Sequence, residues 1–165
     1  MESTNISDGA PKSPQSSSSA LTDEKKLDLR KAIIAEVQKL IGIPYELGAE
    51  WTDYSKPPAA LDCSEMVEGV YKISGLQMPD GSQAQYNFTL ATEHPLPGDL
   101  AFFGKNKDIA QIYHVGIVFD PTFIIEARGH QPDSSFETGK VILRPRAAWE
   151  LYKNFVGYRS HPKLA

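Results

Sequence analysis

The 165-residue chain carries one cysteine, Cys63. A single thiol excludes an internal disulfide framework and any zinc site built from several cysteines. Long apolar runs are missing as well. Stretches such as Val115–Phe119, itself broken by Gly116, fall far short of the roughly 20 residues that a membrane helix requires. Basic residues are outnumbered, 17 Lys+Arg against 21 Asp+Glu, for a net charge of −4. That deficit argues against non-specific nucleic-acid binding, which needs a basic face. There is no internal repeat, and neither a Cys pair nor a His-x-x-x-His spacing that would hold zinc. What is present is the composition of a globular domain, 41% hydrophobic and 23% charged. The length suits one domain, and a chain of about 150 residues buries around 68–70% of its unfolded surface.

Two regions differ in composition. Residues 1–20 contain seven serines, two prolines and almost nothing large and apolar. Such a segment gains too little from burial to offset its ordering entropy, so residues 1–21 are expected to be a flexible tail and residues 22–165 the folded domain. The tail has no basic start and no apolar stretch, so no secretory signal is expected.

From Thr22 or Asp23 the spacing predicts a helix ending near Gly42 and Pro44. Leu27, Ile33, Ile34, Val37, Leu40 and Ile41 form its apolar side, and Glu24, Lys25, Lys26, Arg30 and Lys31 the other. After a Pro- and aromatic-rich loop, a second helix is expected over Asp62–Ser74, stopped by Gly75. A short helical turn is expected near Ser82–Tyr86. The second half changes period. Asp99–Phe103, His114–Asp120, Thr122–Arg128, Val141–Arg146 and Phe155–Ser160 read as strands, with a hairpin at Asp120-Pro121 and one or two helical turns over Ala147–Tyr152. Helices first and a strand meander after them predict an α+β fold, with N-terminal helices packed on a central antiparallel sheet.

Cys63 falls in the first turn of the second predicted helix, directly after a capping Asp62. There the helix N-terminus favours thiolate over thiol. Glu65, three residues beyond Asp62, has capping-box spacing, although its charge opposes ionisation of the thiol. A buried filler is the competing role for Cys63. A thiolate nucleophile needs a base, and the chain has four histidines. His94, His130 and His161 read as surface loop residues. His114 instead opens the apolar strand His114–Val118, which would project its ring at a fixed angle. Glu126, flanked by Ile125 and Ala127 in the next strand, could lie beside His114 and hold the imidazole. Otherwise it belongs to the solvated sheet face.

Five segments occur in an order that resembles the NlpC/P60 cysteine peptidases. They are Gly42-Ile43-Pro44-Tyr45 with Gly48, Leu61-Asp62-Cys63-Ser64, Pro97–Phe103, His114-Val115-Gly116-Ile117 and Gly157-Tyr158-Arg159. The resemblance runs from about Ala32 to Arg159 and extends to phage-encoded versions. It implies a papain-like α+β fold and cleavage of bacterial peptidoglycan stem peptides, often between D-glutamate and a diamino acid. It also implies Cys63 as nucleophile, His114 as base and Glu126 as the third polar residue. Tyr45, Asp62 and Ser64 would lie at the substrate, Asp62 near its amino group. Two positions depart from the family's pattern. Glu65 stands where Gly usually follows Cys-Ser, and Glu126 stands where His, Asn or Gln is common.

The expectation is a thiol peptidase without metal or organic cofactor, acting on bacterial peptidoglycan peptides. An N-acetylmuramoyl-L-alanine amidase or a thiol acyltransferase would use the same fold and residues. A non-catalytic structural or binding module is the alternative of another class. Expected settings are a phage virion, a host cytoplasm before lysis, or an exported effector, with the Ser-rich tail tethering the domain to a larger virion or secretion assembly.

Overall fold

The computed structural model describes residues 19–165. The flexible tail expected over residues 1–21 lies almost wholly outside the described residues. Helix α1 spans Asp23–Gln38. The Thr22 hydroxyl caps it by accepting from the Lys25 amide at 3.2 Å, and Asp23 and Glu24 sit in the positive first turn. Helix α2 spans Cys63–Ile73 and α3 spans Ser82–Phe88. The strands are β1 (Leu90–Thr92), β2 (Leu100–Gly104), β3 (Ile112–Val118), β4 (Phe123–Arg128), β5 (Lys140–Pro145) and β6 (Phe155–Ser160). A short α4 (Arg146–Leu151) precedes β6. The strands form one antiparallel sheet in the order β1-β6-β2-β3-β4-β5.

This is the α+β arrangement expected from the sequence, with each of the five expected strands found within two residues of its bounds. The β3–β4 hairpin turns where Asp120-Pro121 predicts it, because the Asp120 carboxylate accepts from the amides of Thr122 and Phe123, both at 2.7 Å. Strand β1 was not foreseen. It has only three residues, two of them exposed, and exists through its pairing with β6 some 70 positions later.

Side chains alternate across the sheet and separate two cores. Leu100, Phe102, Val115, Ile117, Ile125, Ala127 and Val141 form the larger one with Ile33 and Val37 of α1 and Met66, Val67 and Val70 of α2. Ala101, Phe103 and Ile124 form the smaller one beneath Trp149 of α4. A register shift between Phe103 and Gly104 pairs Gly104 with Ile112 but Phe103 with His114. The extra residue lets Ile112 join the larger core while His114 takes the opposite face.

Arg30, Leu27, Ile41 and His161 are placed differently from the sequence expectation. Helical spacing puts Arg30 on the solvated side of α1 and Leu27 and Ile41 on the apolar side, yet Leu27 is 51% exposed, Ile41 is exposed and Arg30 is buried. The reason is distant acceptors. Arg30 Nη1 lies 2.8 Å from Asp99 Oδ1, and Nη2 donates to the Leu164 carbonyl at 3.1 Å. A buried guanidinium is tolerable when so paired, and helical periodicity cannot reveal partners 69 and 134 positions away. His161, a surface loop residue on sequence grounds, is buried. Its Nδ1 accepts from the Lys163 amide at 3.0 Å, which leaves Nε2–H to donate to the Gln77 carbonyl at 2.9 Å. Burial holds its pKa below the ordinary value. This neutral imidazole is structural.

Candidate active site

The site is assembled around the start of α2. Asp62 is the N-cap, with extended backbone, and its Oδ1 accepts from the Glu65 amide at 2.9 Å. Its other oxygen accepts from the Gly48 amide at 3.0 Å, tying the preceding loop to the helix start. The Ser64 hydroxyl turns back to Asp62 Oδ1 at 3.3 Å, and its carbonyl accepts from Gln85 Nε2 at 2.9 Å. Cys63 is the first helical residue and is 8% exposed. Amides in the first turn of a helix lack intrahelical acceptors, so those of Cys63 and Ser64 can donate to a negative oxygen nearby.

Glu65 does not close a capping box. Its Oε1 instead accepts from the Trp51 amide at 2.6 Å, so the residue that replaces the family's usual glycine anchors the 48–54 loop. Burial first, then repulsion from Glu68, Asp62 and Asp80, raises its pKa against the lowering effect of the Trp51 bond.

His114 stands on β3, which packs against α2, and the Cys63 side chain lies near enough to its ring to act on its charge. Its Nε2 lies 3.6 Å from Glu126 Oε1. His114 and Glu126 share the sheet face that carries Phe103 and Trp149, as the sequence spacing suggests. Burial alone would lower the His114 pKa, but Cys63 and Glu126 outweigh it and raise it to about 9. An imidazolium is therefore favoured well above the ordinary range of this side chain.

Glu126 is fully buried, which rules out the solvated-face alternative. Its Oε1 accepts from Arg128 Nη1 at 2.9 Å and lies 3.7 Å from Arg144 Nη1. Its Oε2 accepts from the Trp149 indole N–H. Burial works to raise its pKa, but His114, Arg144 and Arg128 hold it below the usual carboxylate value. The three partners Arg128, Arg144 and Trp149 were not singled out from the sequence. Arg128 had a readable signal, since two residues beyond Glu126 in a strand is the same face. Arg144 and Trp149 lie 18 and 23 positions away, on elements whose placement only the sheet order reveals.

Tyr45 is half-buried beside the same helix start, and burial, Cys63 and Asp62 together raise its hydroxyl pKa. Its amide donates to the Gly139 carbonyl at 2.9 Å, and its ring lies against Gly129, fixing it between the two halves of the site. The structure thus brings together Cys63, His114, Glu126, Tyr45 and Asp62.

Two depressions flank this centre. An open groove of about 520 Å3 is bordered by Asp62, Glu65, Glu68, Asp80 and Trp51, with Lys72 as its basic member. Carboxylate oxygens of Glu65, Glu68 and Asp80 lie within 4.8 Å of one another, an arrangement that brings Asp80 in from another segment. A smaller recess of about 180 Å3 adjoins His114 and is lined by Phe103, Tyr113, Arg128, His130, Gln131 and Tyr152.

The family model described as the NlpC/P60 family matches residues 42–142. Among curated relatives, the chain is 31% identical over 93 residues to the bifunctional muramidase/DL-endopeptidase CwlT of Bacillus subtilis, an overlap of 55% of this chain and 27% of that protein. It is 38% identical over 88 residues to the probable endopeptidase p60 of Listeria innocua, covering 52% of this chain and 17% of that one. The chain thus matches less than a third of the length of these relatives. Among solved structures, the peptidoglycan hydrolase RipB of Mycobacterium tuberculosis superposes with a TM-score of 0.63 at 20% identity, covering 94% of this chain and 73% of that one. An NLP/P60 family protein of Staphylococcus aureus gives 0.62 at 23% identity, covering 89% and 44%. These structures share the fold.

Proposed function

From the premise that the chain belongs to the NlpC/P60 family, we propose that it is a thiol peptidase that hydrolyses peptidoglycan stem peptides through Cys63, His114 and Glu126. The observation that carries this reading is the convergence of a helix-start thiol, a histidine held as imidazolium and a buried carboxylate in one site. The Cys63 sulfur attacks the amide carbonyl as thiolate. The resulting oxyanion is met by amides at the start of α2 and by the Tyr45 hydroxyl. His114 gives its proton to the leaving amine as the C–N bond breaks, leaving a thioester on Cys63. Water then attacks the thioester, His114 takes the water's proton, and the acid product and free thiol are released. Glu126 keeps the imidazole oriented and stabilises its charged form.

The bond best suited to the site joins D-glutamate to a diamino acid. The carboxylates of Asp62, Glu65, Glu68 and Asp80 give the groove beside Cys63 an excess of negative charge, which complements a free substrate ammonium. Asp62 contributes charge there while its oxygens are engaged by the Gly48 and Glu65 amides. Digestion of purified muropeptides, followed by mass spectrometry beside a Cys63→Ala control, tests the reading. New D-glutamate carboxyl and diamino-acid amino termini are expected. Release of intact stem peptides would instead identify an amidase, and no Cys63-dependent product would identify a non-catalytic module.

A further inference from the structure

Trp149 is a fully buried residue of α4, the six-residue helix between β5 and β6, and no step of the mechanism above uses it. It nevertheless touches both members of the His114–Glu126 couple. Its indole N–H donates to Glu126 Oε2, while its ring stacks on His114 with centroids 5.4 Å apart and planes at 23°. The indole also stacks on Phe103, at 4.1 Å and 29°, and Phe103 in turn lies 5.6 Å from His114, so the three rings form one cluster. Gly116 provides the floor. A Cβ there would lie 3.0 Å from Trp149 Cζ2 and 2.7 Å from Ile124 Cγ2, so only the absence of a side chain admits the indole at this depth.

The consequence concerns which carboxylate oxygen serves which partner. A carboxylate can rotate about its terminal torsion, which is broad and roughly two-fold. With Oε2 taken by the indole, Oε1 is directed to His114 at 3.6 Å, Arg128 at 2.9 Å and Arg144 at 3.7 Å. Without the indole donor, the two arginines are free to draw both oxygens toward themselves and away from the imidazole. Stacking on the ring limits the second freedom, the tilt of the imidazole between Cys63 and Glu126.

We propose that Trp149 is a positioning residue that acts through Glu126 and His114, a proposal that rests on the peptidase reading above. The charged and titratable groups around His114 are Cys63 on α2, Glu126 and Arg128 on β4, Arg144 on β5, Tyr113 on β3, His130 after β4 and Tyr152 after α4. Trp149 adds no charge to them. It fixes the geometry in which Glu126 acts on His114.

The test compares wild type, Trp149→Phe, Glu126→Gln and the double variant on a purified disaccharide-tetrapeptide, with thermal melts to confirm folding. Because Phe also changes volume, a second replacement puts 3-benzothienylalanine at position 149, which keeps the ring shape and exchanges N–H for sulfur. The expected result for both replacements is a fall in kcat of about tenfold to a hundredfold, the range for loss of an orienting partner, with KM little changed. The alkaline limb of the rate profile should move to lower pH. The double variant should be no slower than Glu126→Gln alone, since a residue acting through Glu126 has nothing left to position. A folded benzothienylalanine protein with full kcat would overturn the proposal, as would losses that multiply in the double variant. An inactive wild type would sink the peptidase reading, and the proposal with it. A wild type that works beside an unimpaired Trp149 variant sinks the proposal alone.

Discussion

Individual side chains in this site are set against one another by charge. Glu126 is buried without exposure, and a lone buried carboxylate would take up a proton. His114, Arg128 and Arg144 prevent this and hold it ionised. The same carboxylate and the Cys63 thiol raise His114 to about 9. Changing Glu126 to Gln keeps the shape but removes the charge, so His114 should deprotonate at lower pH and the alkaline limb of kcat should retreat. In a serine triad the corresponding change costs about 10⁴ in kcat. Here a loss on the order of 10–10³ is expected, because sulfur is intrinsically a stronger nucleophile than a hydroxyl and depends less on a third member. A pH series of initial rates on both proteins checks this, and an unmoved limb with wild-type kcat would leave Cys63 and His114 as an unassisted dyad. The stability sign follows from the same shift. A histidine whose folded pKa exceeds its unfolded value near 6.5 lends its full contribution below that value and loses it as pH rises through about 9. Urea midpoints should therefore fall between pH 6.5 and 9, and fall less in Glu126→Gln. The candidate positions Cys63, His114 and Glu126 could be picked out from a lone thiol at a helix start, a histidine opening a strand and an acid between Ile125 and Ala127. The orienting cations and indole could not, because each is recruited by a carboxylate that only the folded sheet brings near.

Among the elements, the start of α2 holds much of the candidate site on little structure. One residue, Asp62, caps the helix through the Glu65 amide and fastens the Gly48 loop with its second oxygen. Asp62→Ala should therefore cost about 1–2 kcal/mol of stability, the range for a lost N-cap with one further backbone bond, read from urea unfolding. It should also lower activity beyond that loss, since the amides of Cys63 and Ser64 are positioned by the same cap. Unchanged stability would mean that water replaces both bonds. The boundaries of α2 were legible because capping chemistry is local, Asp62 before it and Gly75 after it. The destination of Glu65 was not legible. Sequence spacing suggests a capping box, but the Trp51 amide, brought across from the preceding loop, is the partner the structure selects. Helix α1 carries the same lesson in larger form. Charge alone puts Arg30 on its solvent side, whereas Asp99 and the Leu164 carbonyl turn that charge inward. Asp99→Ala should leave the guanidinium buried without its ion pair and cost about 3–5 kcal/mol, measurable by thermal melting. A loss below 1 kcal/mol would show that Arg30 escapes to solvent.

At the scale of the whole molecule, the sheet does two separate jobs. One face packs on α1 and α2 and supplies most of the buried apolar surface. The other carries His114 and Glu126 under Trp149, with the bulge at Phe103/Gly104 switching the start of β3 between the two. The architecture was legible because helices and strands differ in period and the chain places them in successive halves. Strand β1 and the burial of His161 escaped because both depend on contacts with distant segments. A mechanism that runs on a thiolate and an imidazolium requires no metal, so hydrolysis should persist in EDTA. Reversible loss restored by zinc would overturn the mechanism. It would also direct attention to the Glu65, Glu68 and Asp80 carboxylates. The central claim is that Cys63 breaks an amide bond of the peptidoglycan stem with the fold otherwise untouched. Mass spectrometry of a muropeptide digest by wild type and by Cys63→Ala, each with a melting curve, tests it most directly. New D-glutamate and diamino-acid termini from wild type alone, with melting temperatures within a few degrees of each other, are the predicted result. Equal products from both proteins, or a Cys63→Ala chain that fails to fold, would contradict it.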